Sequence, residues 1–189
     1  MLGKRKNIHF IGIGGIGMSG MAELLHNLGH TISGSDILES GRTDHLEKIG
    51  INIKIGHSEN NIGESDLVVY SSAVKENNCE IEESKKMNIP VIKRAEMLGE
   101  LLKVKTNSIA VAGTHGKTTT ASMLSIILNK SNHKPTLIVG GIVQEFQSNT
   151  ILGDGDTIIV EADEYDRTLL SLKPSMSVVT NIDYEHSDC

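Results

Sequence analysis

The stretch AVAGTHGKTTT, residues 110–120, ends in Gly116-Lys117-Thr118. These are residue types that bind a nucleoside triphosphate: loop N–H groups for the phosphates, a lysine for the β- and γ-phosphates, a hydroxyl for Mg2+. The common pattern, G-x-x-x-x-G-K-[ST], would place its first glycine at position 111, where this chain has Val111. The nearest upstream glycine is Gly113, so the stretch is either a shorter phosphate loop or a glycine turn ahead of a lysine. A magnesium ion held by one hydroxyl needs carboxylate help. TIIVEAD, residues 157–163, ends an apolar run with Glu161 and Asp163, the layout of a Walker-B acid. EADEYD alone reads as a solvated acidic turn; behind a buried strand and downstream of Gly-Lys-Thr, Glu161 reads as a metal ligand. His186 follows the last expected strand, and its position alone gives it a structural or solvated role.

A second constellation lies near the N-terminus. GIGGIG matches G-x-G-x-x-G through Gly12, Gly14 and Gly17, after an expected strand and at the start of an expected helix. Such glycines allow a tight turn and close approach of backbone N–H groups to a pyrophosphate. Asp36, at the end of the second expected strand, stands where an acid would bond a ribose hydroxyl. NAD, FAD and a UDP-sugar all carry a ribose and a pyrophosphate, so these residues leave the nucleotide open. Glycines serving only helix–sheet packing are the plainer alternative. The histidines at 9, 26, 30, 45, 57 and 133 have no motif around them and are expected to take no part.

The elements that must carry these groups alternate strand and helix. Short apolar runs predict strands at 7–13, 30–35 and 66–73, with further strands in INIKIG and IPVIK. Met18, Met21, Leu24, Leu25 and Leu28 recur at helical spacing over 17–29, with Gly29 as the stop. RTDHLEKIG, NCEIEESKKMN and RAEMLGELL supply further helices. The apolar signal lapses over 103–108 and restarts with IAVAG. This divides the chain into 1–104 and 105–189. The second part is expected to run strand (108–112), loop, helix (117–129), strand (136–141), loop, strand (157–163), a helical stretch in YDRTLLSLK and a strand at 176–182. The fold class is α/β: a Rossmann-like domain followed by a truncated P-loop-type ATPase domain.

Composition narrows the setting. Hydrophobic residues make up 38% of 189 and aromatics 3%, with no Trp, so the core must be aliphatic. A net charge of −6 offers no nucleic-acid footprint. Cys79 and Cys189, the two cysteines, have no metal or redox spacing. No run approaches the roughly 20 apolar residues of a membrane span, and Lys4-Arg5-Lys6 leads into a glycine loop, not a cleavage site. A soluble cytoplasmic protein is expected. The last strand ends in charged residues with no helix after it, so the chain reads as cut off.

Taken together, IHFIGIGGIGMSG, GSD (34–36), VVYSSAV (68–74), RAEMLGEL (94–101), AVAGTHGKTTT, EADE (161–164) and VVTNIDYEH (178–186) resemble the Mur ligases of peptidoglycan synthesis. The motifs stand in family order over nearly the whole chain. The family's phosphate loop, G-T-x-G-K-[ST], lacks the earlier Walker glycine. GTHGKT, with His115, is similar to the form found in the alanine-adding subgroup.

The resemblance implies an ATP-dependent, Mg2+-requiring amide ligase that joins L-alanine to UDP-N-acetylmuramate through an acyl phosphate. It implies that Gly12, Gly14, Gly15, Ile16, Gly17, Asp36 and Ser72 bind the UDP-sugar. Gly113, Thr114, His115, Gly116, Lys117, Thr118 and Thr119 would hold ATP, with Lys117 and His115 catalytic. Thr118, Glu161 and His186 would hold metal. Tyr165, EHSDC at the end and GGIVQEFQSNT (140–150) depart from the family pattern. The family's third domain is absent, so an incomplete ligase is expected. Other readings are a ligase that recycles whole peptides, a non-catalytic nucleotide-binding remnant and a NAD-dependent dehydrogenase. The last leaves Lys117, Thr118 and Glu161 idle.

Overall fold

The structure, a computed structural model, describes residues 2–4, 6–162, 168 and 172–183. Asp163, Tyr165, His186 and most of YDRTLLSLK lie outside them. The chain folds as two compact units that divide between Met97 and Leu98.

In the first unit, β1 (Asn7–Ile11) and β4 (Leu67–Tyr70) are almost wholly buried, as central strands covered on both faces must be. They lie between β2 (Thr31–Asp36), β3 (Asn52–Ile55) and β5 (Val91–Lys93) in the order β3-β2-β1-β4-β5, every neighbouring pair parallel. β3 buries only Ile53, which suits an edge. The helices α1 (Ile16–Asn27), α2 (Gly41–Lys48), α3 (Cys79–Lys86) and α4 (Arg94–Leu101) follow β1, β2, β4 and β5. α1 buries Met18, Met21, Leu24 and Leu25, each contributing about 1.5–3 kcal/mol. It ends with Gly29 at φ +90°, whose N–H donates to the His26 carbonyl while that of His30 reaches Leu25. This left-handed stop is one that glycine makes without strain. Ser40 caps α2 in a reciprocal box with Thr43, and Asn78 caps α3.

The second unit holds β6 (Asn107–Ala112), α5 (Lys117–Lys130), β7 (Thr136–Val143), β8 (Ser148–Ile151), β9 (Thr157–Glu161) and β10 (Met176–Val179). Its sheet runs β10-β6-β9-β7-β8. All pairs are parallel except β7 with β8. Two expectations change here. The segment after Gly141, expected as loop, continues β7 to Val143 and turns back through Gln147 (φ +52°) as an antiparallel edge strand. SNTI carries little apolar signal because an edge strand needs few buried side chains. β10 stops at Val179, not 182: Thr180 N–H still donates to the Ala112 carbonyl at the end of β6, and Asn181–Asp183 then bond to the loop after β6.

Candidate functional site

In the first sheet the chain winds from β1 toward β3 on one side and from β4 toward β5 on the other. The crevice outside the carboxyl ends of strands at such a reversal is where open α/β sheets take ligands. A cleft of about 620 Å3 lies there. Gly12 (φ +78°) and Ile13 donate their N–H groups to the Ser35 carbonyl at 2.8 and 3.0 Å. A Cβ at Gly12 would stand 3.1 Å from Ser71 Cβ, so the turn needs glycine on both counts. Gly14 N–H donates to Asp36 Oδ2 at 2.8 Å. Asp36 therefore fastens the glycine loop to the end of β2 while lining the cleft. Gly15 is the N-cap of α1 and has no side-chain cap bond, which leaves the positive helix end facing the loop without a capping side chain.

Gly12, Gly14, Gly15 and Asp36 line the cleft. Ile16 and Gly17 begin α1 and are not among the lining residues, and a Cβ on Gly17 would meet the Arg94 guanidinium at 2.9 Å. Ser72 is exposed and off the lining; Ser71 stands there in its place. The lining groups outside the motifs include Arg42, His57 and Asn78. Arg42 Nε donates to the Gly14 carbonyl at 2.5 Å, bringing a guanidinium, a group suited to anions, to the glycine loop. Its signal was the capping box Ser40-x-x-Thr43, which puts position 42 in a first helical turn at the carboxyl end of β2.

Beneath the cleft lies Glu80, on the first turn of α3 and fully buried. Its Oε2 accepts from His9 Nε2 (3.0 Å) and the Ser35 hydroxyl (2.7 Å). Its Oε1 accepts from Ser58 N–H (3.1 Å) and Asn61 Nδ2 (2.7 Å). His57 Nδ1 stands 3.5 Å from Oε1 and 3.1 Å from Ser35 Oγ. Burial opposes ionisation of Glu80, but hydrogen bonds from His9, Ser35 and Asn61, with the field of His9, outweigh it and hold the pKa at about 2. His9 and His57, expected to be uninvolved, thus join one buried network. No linear motif marks it, because its members come from β1, β2, the segment after β3 and α3.

In the second unit, β6 delivers the chain into Gly113 (φ +126°) and Gly116 (φ +78°), the N-cap of α5. Lys117 Nζ donates to the carbonyls of Gly113 (2.7 Å) and Thr114 (3.2 Å), so its charge lies over the loop. The Thr118 hydroxyl, 2.9 and 2.8 Å from the two Glu161 oxygens, donates to that carboxylate. Gly140 N–H donates to Glu161 Oε2 at 2.8 Å. Thr119 is exposed on the first turn of α5. The Thr180–Asp183 segment braces the loop. Asn181 Oδ1 accepts His115 N–H (2.9 Å), and Thr180 Oγ1 and Asn181 Nδ2 donate to the His115 carbonyl (2.6 and 3.0 Å). Asp183 N–H donates to Thr114 Oγ1 at 3.0 Å. A Cβ on Gly113 would lie 2.1 Å from Thr180 Oγ1, so glycine is needed there for this bracing as well as for its φ.

Among the described residues no group of three His, Cys, Asp or Glu side chains could hold a metal ion. Thr118 and Glu161 are nonetheless adjacent hard oxygen donors, a set that fits Mg2+, which takes few protein oxygens and fills its shell with phosphate and water. His186, the third expected ligand, lies outside the described residues.

Comparison with known proteins bears on both units. The sequence model of the Mur ligase family, catalytic domain, matches residues 7–106, and that of the Mur ligase middle domain matches residues 111–189. A UDP-N-acetylmuramate–L-alanine ligase of Xanthobacter autotrophicus is 50% identical over 182 residues, 96% of this chain and 38% of that protein. The crystal structure of a UDP-N-acetylmuramate-alanine ligase from Thermotoga maritima matches with a TM-score of 0.88 at 35% identity, covering 96% of this chain and 43% of that one. A UDP-N-acetylmuramate:L-alanyl-gamma-D-glutamyl-meso-diaminopimelate ligase from Neisseria meningitides matches with a TM-score of 0.87 at 29% identity, covering 97% and 62%. The chain spans about 40% of the length of the curated relatives it matches.

Proposed function

The chain belongs to the Mur ligase family, and on that premise we propose that it carries the sugar-nucleotide and ATP sites of a ligase joining L-alanine to UDP-N-acetylmuramate. Residues 1–104 are assigned to the UDP-sugar and 105–189 to ATP, acting in the cytoplasm where both nucleotides are found. The observation that carries the reading is the braced loop at Gly113–Thr118, with Lys117 folded over it and Thr118 against Glu161. A dehydrogenase has no use for that arrangement. Identity of 50% to an alanine-adding relative, against 29% to the peptide-adding structure, favours alanine as the amine.

In the proposed reaction the lactyl carboxylate attacks the γ-phosphorus of ATP, the bond to ADP breaks and an acyl phosphate forms. The alanine amine then attacks the acyl carbon, phosphate leaves with the C–O electrons, and the nitrogen loses a proton. An anion attacking a polyanion needs charge neutralisation at the transferring group. Lys117 moves from its loop carbonyls to the β- and γ-phosphates, and the loop N–H groups at the positive end of α5 hold the oxygens. Thr118 and Glu161 would hold Mg2+, which when bound draws charge from the phosphate oxygens. His115 is fixed through its backbone by Thr180 and Asn181, so its ring has a set origin beside the phosphates. In the first unit Arg42 and the N-terminus of α1 would meet the UDP pyrophosphate, with Asp36 holding the loop in place.

Calorimetry on the 189-residue chain tests the assignment. UDP-N-acetylmuramate is expected to bind and NADH not to; the reverse preference overturns the reading of the first unit. ATP is expected to bind wild type at least tenfold more tightly than Lys117→Ala, the loss of a charge-assisted contact. Equal affinities would return the loop to a structural turn.

A further inference from the structure

The buried network beneath the first cleft does more than fill space. Burying a carboxylate costs stability unless every lone pair is met, and the groups that meet those of Glu80 include the walls of the cleft. Glu80 N–H bonds the Asn78 cap, and Asn78 lines the cleft. Ser58 and Asn61 tie the segment after β3 to Glu80 Oε1, and His57, also on the lining, belongs to that segment.

The protons on these groups follow from counting donors. A serine hydroxyl has one proton. Ser35 gives it to Glu80 Oε2 at 2.7 Å, because an ionised carboxylate can only accept. Ser35 Oγ can then only accept from His57 Nδ1, 3.1 Å away, and Glu80 Oε1, at 3.5 Å, reinforces a proton on the same nitrogen. The neutral ring therefore carries its hydrogen on Nδ1 and a lone pair on Nε2. Nδ1 faces the buried network, and the half-buried ring borders the cleft.

We propose that Glu80 is a positioning residue: with Ser35 it holds His57 as the Nδ1–H tautomer, so that Nε2 meets the sugar nucleotide as a hydrogen-bond acceptor. The inference rests on the reading of this cleft as a UDP-sugar site. The matching ligand group is a donor of the uridine moiety, a ribose hydroxyl or the imide N–H of the base.

The test uses the full chain labelled with 15N-histidine and UDP-N-acetylmuramate as the probe. Long-range 1H–15N spectra of wild type at neutral pH should show His57 protonated at Nδ1 and bare at Nε2, with the Nε2 resonance moving on ligand addition. His57→Asn, which keeps a donor toward Ser35 but has nothing at the Nε2 position, should bind about tenfold more weakly. His57→Gln, whose amide reaches that position, should recover most of the loss. Glu80→Gln should lose the single tautomer and weaken binding by a similar factor. Should Glu80→Gln not fold, the wild-type spectrum and the two His57 variants decide alone. A proton on Nε2 in wild type, or His57→Asn binding as wild type does, overturns the proposal. Wild type failing to bind the probe at all overturns the sugar-nucleotide reading and this inference with it, whereas wild-type binding undiminished in His57→Asn removes only this inference.

Discussion

Glu80 illustrates how a residue's meaning depends on what surrounds it. In the sequence it is one glutamate of an amphipathic helix, CEIEESKK; in the fold it is the acceptor on which His9, Ser35, Ser58 and Asn61 converge. Its pKa falls from an ordinary 4.5 to about 2 on folding. A carboxylate depressed in this way stabilises the native state fully above its unfolded pKa and loses that contribution as pH drops toward the folded one. Wild type should therefore exceed Glu80→Gln in stability at neutral pH and lose that advantage as the carboxylate protonates. Urea unfolding at a series of pH values should show that gap closing between pH 4.5 and pH 2. A constant gap would mean that Glu80 is not the group that titrates. At the same scale the place of Asp36 at the end of β2 was legible, but its hold on Gly14 N–H was not, since that depends on where β1 and β2 end relative to each other.

Strands and the segments after them set the chemistry at the next scale. β1, β2 and β4 deliver the glycine turn, Asp36 and Ser71 to one edge of the first sheet, and β6, β9 and β10 deliver the Gly113–Thr118 loop, Glu161 and Asn181 to one edge of the second. The alternation of apolar runs made most of these elements readable. β8 was not, because an edge strand buries too little to leave a pattern. The early stop of β10 was not either, because NID looks like the tail of a strand until its polar groups are seen to bond to Thr114 and His115. Asn181 contributes bonds to both the N–H and the carbonyl of His115. Asn181→Ala should weaken ATP binding about tenfold while shifting the unfolding midpoint little, since Asn181 is only partly buried. Calorimetry alongside thermal melting measures both, and an unaltered ATP affinity would show that the brace is dispensable.

For the whole molecule, two α/β units each bring a glycine loop to the carboxyl edge of their own sheet, and the proposed assignment gives each unit one nucleotide. No helix among the described residues is long and apolar enough to cross a membrane. Each ligand should protect its own unit from hydrogen exchange: UDP-N-acetylmuramate over 12–15, 36–42 and 57–61, ATP over 113–119 and 180–183. At a hundredfold excess over Kd either ligand adds about 2.7 kcal/mol to the unit that binds it. Protection by both ligands in one unit would refute the assignment of one nucleotide to each. The sequence by itself determined the fold class, the two glycine loops, Lys117, Thr118 and Glu161, because each is written in a local pattern: hydrophobic period, glycine spacing, or an acid ending an apolar strand. Only the tertiary structure decided that Arg42 and His57 border the first cleft, that Ser71 stands there in place of Ser72, that β8 closes the second sheet, and that Glu80 gathers the ends of separate strands. Those contacts join residues far apart in the chain, and their hydrogen bonds exist only once parallel pairing has brought the strand ends to the same edge.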